Sequence, residues 1–316
     1  MSEQEPTIAV LIPCLNEAVS IRKVITDFRS ELPDADIYVF DNNSTDDTVR
    51  IAQEAGAIVC QESRRGKGYV LQSMFQGVEA DLYVLVDGDD TYPSQAVHCL
   101  LAPVRAHEAD MVVGSRLHKG TQSQWSPLNR LGNWFFALTL NRFFGAHLTD
   151  ILSGYRAFSR RFVKGISLFS GGFEIETELT IKAIQRGYRI LEVPVDLKRR
   201  SEGSESKIHL ARDGILILAM IMSLFRDYKP LTFFGIVGLA LSFVGLVSLL
   251  FASTTGNWTG EPGLWLAWMI TSILVILAGF LAVSIGMVLH TIDRRFQEFE
   301  SQIWSIARTR PNSEEE

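Results

Sequence analysis

The sequence lacks the short motifs of the commonest nucleotide-binding folds. No GxGxxG follows the first apolar segment, and no GxxxxGK[ST] occurs anywhere in the 316 residues. The sequence therefore gives no support for a dinucleotide-binding Rossmann site or for a P-loop. The triplet Gly66–Gly68 (GKG) is too short to form a phosphate loop by itself.

Cysteine and positive charge are also scarce. Cys14, Cys60 and Cys99 are scattered without CxxC spacing, which predicts reduced thiols rather than disulfides or structural zinc. The formal net charge of −6 argues against nucleic acid as a partner. The first 25 residues contain no long apolar run, so we expect no signal peptide and an N-terminal domain that stays in the cytosol.

Charge is absent from two long stretches near the C-terminus. Leu231–Ser253 and Leu264–Leu289 contain 23 and 26 uncharged residues, enough for two helices that cross a bilayer. A buried hairpin in a soluble core is the disfavoured alternative, because adjacent uncharged runs of this length are rare there. The connector 254–263 has no Lys or Arg, whereas basic residues precede the first run and follow the second. The positive-inside rule then predicts that both termini are cytosolic.

Shorter apolar segments flank these runs. Gly214–Phe225 and Leu131–Phe144 are too short to span and fit either interfacial helices or ordinary core helices, the former being favoured because Gly214–Phe225 lies next to the first run. A helical stripe from Ile292 to Ile306 fits either homo-oligomer formation or packing on the soluble domain. The predicted organisation is a soluble domain at 1–207, an interfacial amphipathic helix at 208–229, a two-helix anchor at 230–290, and a C-terminal helix and tail at 291–316.

The soluble part alternates predicted strands with amphipathic helices. The five predicted strands are Thr7–Pro13, Asp36–Phe40, Ala57–Cys60, Leu82–Val86 and Asp110–Gly114. This alternation at short intervals predicts an α/β domain with a doubly wound parallel sheet. In such sheets ligands bind beyond the carboxyl ends of the strands.

Polar residues gather at those predicted strand ends. They are Asn16 and Glu17 after the first strand, Asp41 after the second, Asp87 and Asp89 after the fourth, and Ser115 and Arg116 after the fifth. Two carboxylates in a DGD sequence suit Mg²⁺ or Mn²⁺ bridging a diphosphate. Asp and Gly are also ordinary turn residues, but the position near Glu17, Asp41 and Lys67 favours a ligand site.

Basic residues form three groups along the chain. They are Arg64, Arg65 and Lys67; Arg116 and Arg130; and Arg199, Arg200 and Lys207. A diphosphate donor and a phosphorylated acceptor would both require such cations. Solvated surface and attraction to anionic lipid are the alternatives.

Seven motifs together carry a resemblance. They are IPCLNE (12–17), DNNSTD (41–46), RGKG (65–68), DGDDTYP (87–93), GSR (114–116), SGYRAF (153–158) and SESK (204–207). In this order, and followed by paired apolar runs, they resemble glycosyltransferase family 2 with a GT-A fold, and more narrowly the polyprenyl-phosphate glycosyltransferases. The resemblance covers nearly the whole chain. It implies a mixed, mostly parallel sheet followed by interfacial helices and two transmembrane helices.

The resemblance also implies substrates and site residues. It implies a nucleoside-diphosphate sugar, a polyprenyl phosphate in the membrane, and Mg²⁺ or Mn²⁺ on Asp87 and Asp89. The implied nucleoside contacts are Pro13, Glu17 and Asp41, and the further implied substrate-binding residues are Asn16, Asn43, Lys67 and Gly88. Asp89, Arg116 and Arg130 are the implied catalytic residues, Ser153 and Arg156 line the sugar or acceptor pocket, and Arg200 and Lys207 hold phosphate.

Two departures from the family pattern stand out. Asn42 follows Asp41 where the family often has a second acid, and Thr91 and Tyr92 stand where the mannose synthases often have Gln and His. The third metal ligand is therefore left open, and mannose specificity is not carried over.

The expected reaction is an inverting, single displacement that transfers a hexose, with a UDP donor favoured over GDP. A phosphate monoester has a second pKa of about 6, so the nucleophile is already anionic and needs no strong general base. One alternative is a processive polysaccharide synthase, although no QxxRW motif is present. The other is a non-catalytic membrane scaffold, which the intact Asp87, Asp89 and Arg116 disfavour.

Overall fold

The computed structural model describes residues 5–117, 127–198, 210–255 and 262–309. Within these ranges the side chains at 127–131, 210–213, 255, 262 and 296–309 are outside the description. The chain divides into two compact units, Met1–Ile221 and Met222–Glu316, which are treated separately below.

The first unit is built on a seven-stranded mixed sheet. Its strands are β1 (Ile8–Cys14), β2 (Asp36–Asp41), β3 (Ile58–Gln61), β4 (Leu82–Leu85), β5 (Met111–Ser115), β6 (Arg156–Ser159) and β7 (Ile190–Pro194). The order is β3-β2-β1-β4-β6-β5-β7, and only β6 runs antiparallel to its neighbours. The five predicted strands are confirmed to within one residue at each end. The strands β6 and β7 were not predicted from the sequence. The antiparallel β6 makes the sheet mixed, as the family resemblance implies.

The helices of this unit are α1 (Ile21–Glu31), α2 (Thr48–Glu54), α3 (Lys67–Gly77), α4 (Val97–Arg105), α5 (Pro127–Phe144), α6 (Arg160–Gly165), α7 (Ile175–Gln185) and α8 (Leu210–Tyr228), the last of which continues past Ile221. α1 and α2 begin several residues after β1 and β2 end. In the loop before α2, the Ser44 hydroxyl accepts a hydrogen bond from the Asn16 amide at 2.9 Å. The residues between each strand end and the following helix therefore form loop contacts with each other.

The sheet is buried on both faces, which explains why its strands read as continuous apolar runs. Because side chains alternate along a strand, Val84 and Val112 join a cluster with α1, α2 and α4, whereas Leu85 and Val113 join one with α3, α6 and α7. This double layer fixes the strand ends that carry the polar residues.

The second unit contains α9 (Pro230–Thr255) and α10 (Pro262–Thr309), which pack on each other through small residues. A methyl group on Gly245 would lie 2.9 Å from the carbonyl oxygen of Ser272, and the hydroxyls of Ser248 and Ser272 are 2.8 Å apart. Such contacts are typical of helix pairs in membranes.

Both helices are long and apolar enough to cross a membrane, and only 11% and 17% of their most apolar windows are buried. An apolar hairpin this exposed does not fit the core of a soluble protein. The two predicted apolar runs lie within these helices. The predicted stripe also lies on α10, although its side chains from Phe296 onward are outside the described residues.

Candidate active site at the carboxyl edge of the sheet

The ends of β1 and β2 are joined by a set of side-chain to backbone hydrogen bonds. The carboxylate of Asp41, which is 1% exposed, accepts from the Ser44 amide at 3.1 Å. Asn16, in the left-handed region at φ 51°, accepts from the Thr45 amide at 2.7 Å. The Glu17 amide donates to a threonine hydroxyl at the start of α2 at 2.8 Å. Asn16, Glu17 and Asp41 therefore lie together, as predicted, next to half-buried Pro13 on β1.

Asn42 and Asn43 fasten the following loop. Asn42 donates to the carbonyls of Glu62 and Arg64 at 3.1 and 2.7 Å and accepts from the Gly66 amide at 2.7 Å. A carboxylate at this position could not donate to either carbonyl, which accounts for Asn42 where the family often has an acid. The side-chain amide of Asn43 likewise donates to the Ser63 carbonyl at 2.9 Å.

Gly66 and Gly68 allow two loops to approach each other backbone to backbone. A methyl group on either glycine would overlap the carbonyl oxygen of Gly171 or Ser170, and Gly66 has a φ of 136° that side chains disfavour. The Gly68 amide donates to the Gly171 carbonyl at 3.1 Å. The RGKG motif is thus a tight loop contact.

This contact encloses Lys67 between two carboxylates. Its Nζ lies 2.6 Å from Asp87 and 2.6 Å from Glu176, a buried residue in the first turn of α7. Burial lowers the pKa of Lys67, but the two carboxylates outweigh burial and the net pKa is raised. Glu176 is a site residue that the sequence analysis missed, because nothing near it in the sequence points to Lys67.

The neighbouring carboxylates Asp89 and Asp90 of the DGDD segment have different partners. Asp89 accepts from the Thr91 hydroxyl at 2.6 Å, whereas Asp90 turns away and pairs with Lys23 on α1 at 3.0 Å. Gly88, predicted as a substrate-binding residue, has no room for a side chain, because a methyl group there would lie 2.8 Å from Sγ of Cys14.

The donor set can be tested against the implied divalent cation. Asp87 and Asp89 offer carboxylate oxygens, the ligands that Mg²⁺ and Mn²⁺ prefer. Among the described residues, no group of three or more His, Cys, Asp or Glu side chains could hold a metal ion. Two carboxylates fit a cation whose remaining ligands come from a diphosphate, rather than a site that the protein alone completes.

Arg116 is held at the end of β5 by a buried carboxylate. Its Nε and Nη2 donate to the two oxygens of Asp150 at 2.7 and 2.8 Å, and its backbone amide donates to Asp150 at 2.9 Å. Burial lowers the pKa of Arg116, but Asp150 outweighs burial, Asp87 adds to its effect, and the net pKa is raised. Burial in turn raises the pKa of Asp150, yet Arg116 brings it below its usual value. Asp150 is the second partner that the sequence analysis missed.

Tyr92 and Ser153 shape the turn that faces Asp87. The buried Tyr92 hydroxyl accepts from the Gly154 amide at 3.1 Å, and Ser153 donates to the Gly114 carbonyl at 2.6 Å. Gly154 lies against Asp87, so that a methyl group there would overlap the carboxylate. Tyr92 therefore supports this turn, and Ser153 uses its hydroxyl proton within the protein.

Arg156, expected to line the sugar or acceptor pocket, is enclosed in the protein and fully buried. Its guanidinium donates to the carbonyls of Ser153 at 2.9 Å, Ile151 at 2.8 Å and Glu176 at 3.1 Å, and its Nη1 lies 3.0 Å from Oγ1 of Thr180. Burial lowers its pKa to about 10. We therefore correct its expected role: Arg156 holds the loop before β6 and the first turn of α7 in place.

Three predicted cations have side chains that the structure does not describe, although the backbone of Arg130 belongs to α5. The side chain of Arg130 is not described, and neither Arg200 nor Lys207 is. Their roles stay predictions.

Comparison with known proteins connects this geometry to a family. The family described as "Glycosyl transferase family 2" matches residues 9–166. The glycosyltransferase AglJ of Haloferax volcanii is 35% identical over 240 residues, 76% of this chain and 78% of AglJ. The dolichyl-phosphate hexose transferase of the same organism is 31% identical over 216 residues, 66% of this chain and 90% of that protein.

A solved structure shows the same fold. The glucosyl-3-phosphoglycerate synthase of Mycobacterium tuberculosis, in complex with Mn²⁺, UDP-glucose and phosphoglyceric acid, aligns with a TM-score of 0.59 over 70% of this chain and 80% of that one, at 24% identity. The chain therefore has a GT-A-like fold and belongs to glycosyltransferase family 2, whose transferase activity it carries.

Proposed function

We propose that the protein transfers a hexose from a UDP-sugar to a polyprenyl phosphate, with inversion, at the cytosolic face of a membrane. The observation that carries this proposal is the pair of ion clusters at one sheet edge, Lys67 with Asp87 and Arg116 with Asp150. They offer carboxylates for a cation and a fixed guanidinium for phosphate side by side. A relative named as a dolichyl-phosphate hexose transferase supports the acceptor class.

The donor half lies at β1, β2 and β4. Asn16, Glu17 and Asp41 would contact the nucleoside, and Asp87 and Asp89 would hold Mg²⁺ or Mn²⁺. When bound, such a cation offsets charge on the departing nucleoside diphosphate. The bound UDP-glucose and Mn²⁺ of the distant mycobacterial synthase favour UDP as the nucleotide.

The acceptor half is proposed to depend on Arg116. Two anions, the donor diphosphate and the acceptor phosphate, must approach each other for the phosphate oxygen to reach the anomeric carbon. A guanidinium whose pKa is raised keeps its charge at every relevant pH, and Asp150 fixes its orientation before substrate binds. The acceptor phosphate is already anionic, so positioning takes the place of a general base. Arg130, Arg200 and Lys207 are proposed to complete this cluster of cations.

The membrane part is proposed to anchor the enzyme. Residues 1–207 and both termini would lie in the cytosol, 208–229 would lie at the interface, and α9 and α10 would span. A processive synthase needs a channel for its polymer. The described residues include two candidate spans, which pack closely on each other, and this arrangement favours an anchor.

A donor panel tests the proposal. The full chain in detergent is incubated with radiolabelled UDP- or GDP-sugars, undecaprenyl or dolichyl phosphate, and Mn²⁺ or Mg²⁺, with D87N as the inactive control. We expect label in the organic phase with a UDP-hexose. Label that reaches only water-soluble products, with every lipid phosphate supplied, would contradict the acceptor assignment.

A further inference from the structure

A cavity of about 590 Å³ opens beside the ends of β5 and β7 in the first unit. Its size is typical of small-ligand sites. One wall is α5, and the apolar lining consists mainly of Leu117, Trp134, Ala137, Leu138 and Leu148. We call this the β5–β7 cavity.

The polar side chains in its wall are already engaged with each other and with backbone. Glu192 accepts from the amides of Thr149 and Asp150 at 2.9 and 2.8 Å. The hydroxyls of Ser115 and Thr149 are 3.1 Å apart. Asn141 donates to the Leu148 carbonyl at 2.9 Å. Because these groups serve the wall, the surface left for a ligand is mostly hydrocarbon.

The cavity borders the proposed phosphate site. Ser115 and Thr149, which line it, directly precede Arg116 and Asp150 in the chain. In the sheet order, Asp87 follows β4, Arg116 follows β5, and the cavity lies at β5 and β7. A ligand that places an anionic head on Arg116 would therefore extend an apolar tail into the cavity.

We propose that the β5–β7 cavity binds the first isoprene units of the acceptor lipid, an inference that rests on the proposed function. The apolar surface does not stop at the cavity, since Trp134 and Leu138 line it and remain 58% and 50% exposed. The hydrocarbon beyond the first units can thus leave along α5. The cavity therefore contacts the isoprene units, which are the part of the acceptor that distinguishes an isoprenyl phosphate from other phosphate esters.

A matched pair of substitutions on α5 tests this assignment. Leu138 lines the cavity, whereas Phe135 is similarly exposed at 45% on the same helix and does not line it. A carboxylate in an apolar acceptor site is unfavourable. We expect L138D to raise the KM for geranyl phosphate about tenfold or more. Its KM for phenyl phosphate and for the nucleotide sugar should stay at the wild-type value, and F135D should match wild type throughout.

Direct labelling gives a readout that does not depend on turnover. Geranyl phosphate with a photoreactive diazirine in its first isoprene unit, added to the full chain in detergent with UDP, should label cavity residues and lose this labelling in L138D. Labelling elsewhere, or equal defects in L138D and F135D, would overturn the inference and point to a general membrane-contact role of α5. A wild-type enzyme that uses geranyl phosphate while L138D matches it overturns this inference alone. A wild-type enzyme that uses no isoprenyl phosphate overturns the proposed function with it.

Discussion

The guanidinium of Arg116 forks across the carboxylate of Asp150, with one nitrogen 2.7 Å and the other 2.8 Å from its two oxygens. Both side chains are largely buried, and the backbone amide of Asp150 donates to Glu192 at 2.8 Å. The direction of the Arg116 side chain is therefore set by a residue 34 positions away in the sequence.

D150N should damage turnover more than nucleotide binding. An amide presents one acceptor oxygen where Arg116 has two donors, and it leaves a buried positive charge uncompensated, which costs about 3 kcal/mol of folding stability. The misplaced guanidinium should lower kcat about 100-fold. Steady-state kinetics, UDP titration and thermal unfolding in detergent measure the three effects. D47N is the control. Asp47 pairs with Arg50 on the exposed surface, so this variant should match wild type in turnover, UDP affinity and thermal stability.

K67M should strengthen metal binding in the absence of nucleotide. Lys67 contacts Asp87 at 2.6 Å and so competes with a cation for that carboxylate. Because its pKa is raised, the competing charge persists up to and beyond its ordinary value of 10.5, and neutral pH does not relieve it. A unit charge at this range is worth about 4 kcal/mol at an effective dielectric of 20, so a gain of roughly tenfold in Mn²⁺ affinity is a conservative expectation.

Electron paramagnetic resonance titration of Mn²⁺ without nucleotide measures that gain. K23M serves as the control, since Lys23 is 52% exposed and forms its ion pairs with Asp27 and with Asp90 of the same motif. Weaker Mn²⁺ binding in K67M than in wild type would show that Lys67 supports the cation site instead of opposing it.

The charged residues of the site could be predicted from the sequence, but the partners that position them could not. Asp87 and Arg116 follow apolar strands, and strand ends meet at one edge, so their proximity was predictable. Glu176 lies 109 positions from Lys67, and pairing at that distance leaves no local pattern. Arg156 illustrates the converse: a motif arginine suggests a ligand contact, yet burial assigns its hydrogen bonds to backbone carbonyls.

The stabilising effect of Glu62 should disappear in acid. Hydrogen bonds from Arg64 lower the pKa of Glu62 from 4.5 to about 2, against the opposing effect of burial. A lowered carboxyl pKa stabilises the fold above the ordinary value, and this contribution is lost as pH falls from about 4.5 towards 2. At pH 7, E62Q should therefore unfold at a lower temperature than wild type. The loss in its free energy of unfolding should be no more than about 1 kcal/mol, because Arg64 is half-exposed.

Thermal unfolding at pH 7, 5 and 3.5 should show the gap between wild type and E62Q narrowing. R64M should reproduce the loss at pH 7, and the double variant should add little to it, because both changes remove one interaction. A gap that stays constant across this pH range would refute the assignment.

G154A should reduce activity without unfolding the protein. An added methyl group would overlap the carboxylate of Asp87, so that either the carboxylate or the turn held by Tyr92 must move. Displacement of about 1 Å at a reacting centre is enough to lower kcat about 100-fold. G77A is the matched control, because a methyl group on Gly77 at the end of α3 meets nothing within 4 Å. Equal kcat values for the two variants would exclude the steric argument.

G238V should loosen the pair of apolar helices, whereas G235V should not. A side chain on Gly238 would press on the Gly279 carbonyl and on Val283 of α10, but one on Gly235, a single turn earlier on α9, meets nothing within 4 Å. Overpacking of this kind costs about 1–3 kcal/mol, and the two substitutions share the same change in helix propensity.

Trp265 and Trp268 report on this contact, because their indole nitrogens donate to the Ala252 carbonyl and the Ser248 hydroxyl of α9, both at 2.9 Å. Tryptophan fluorescence during SDS titration should therefore show that α9 and α10 separate at a lower SDS concentration in G238V than in wild type. In G235V they should separate at the same SDS concentration as in wild type. If both variants separated early, valine itself rather than close packing at Gly238 would be responsible. If neither did, the small residues would not determine how α9 and α10 associate, and other contacts between the two helices would have to hold the anchor together.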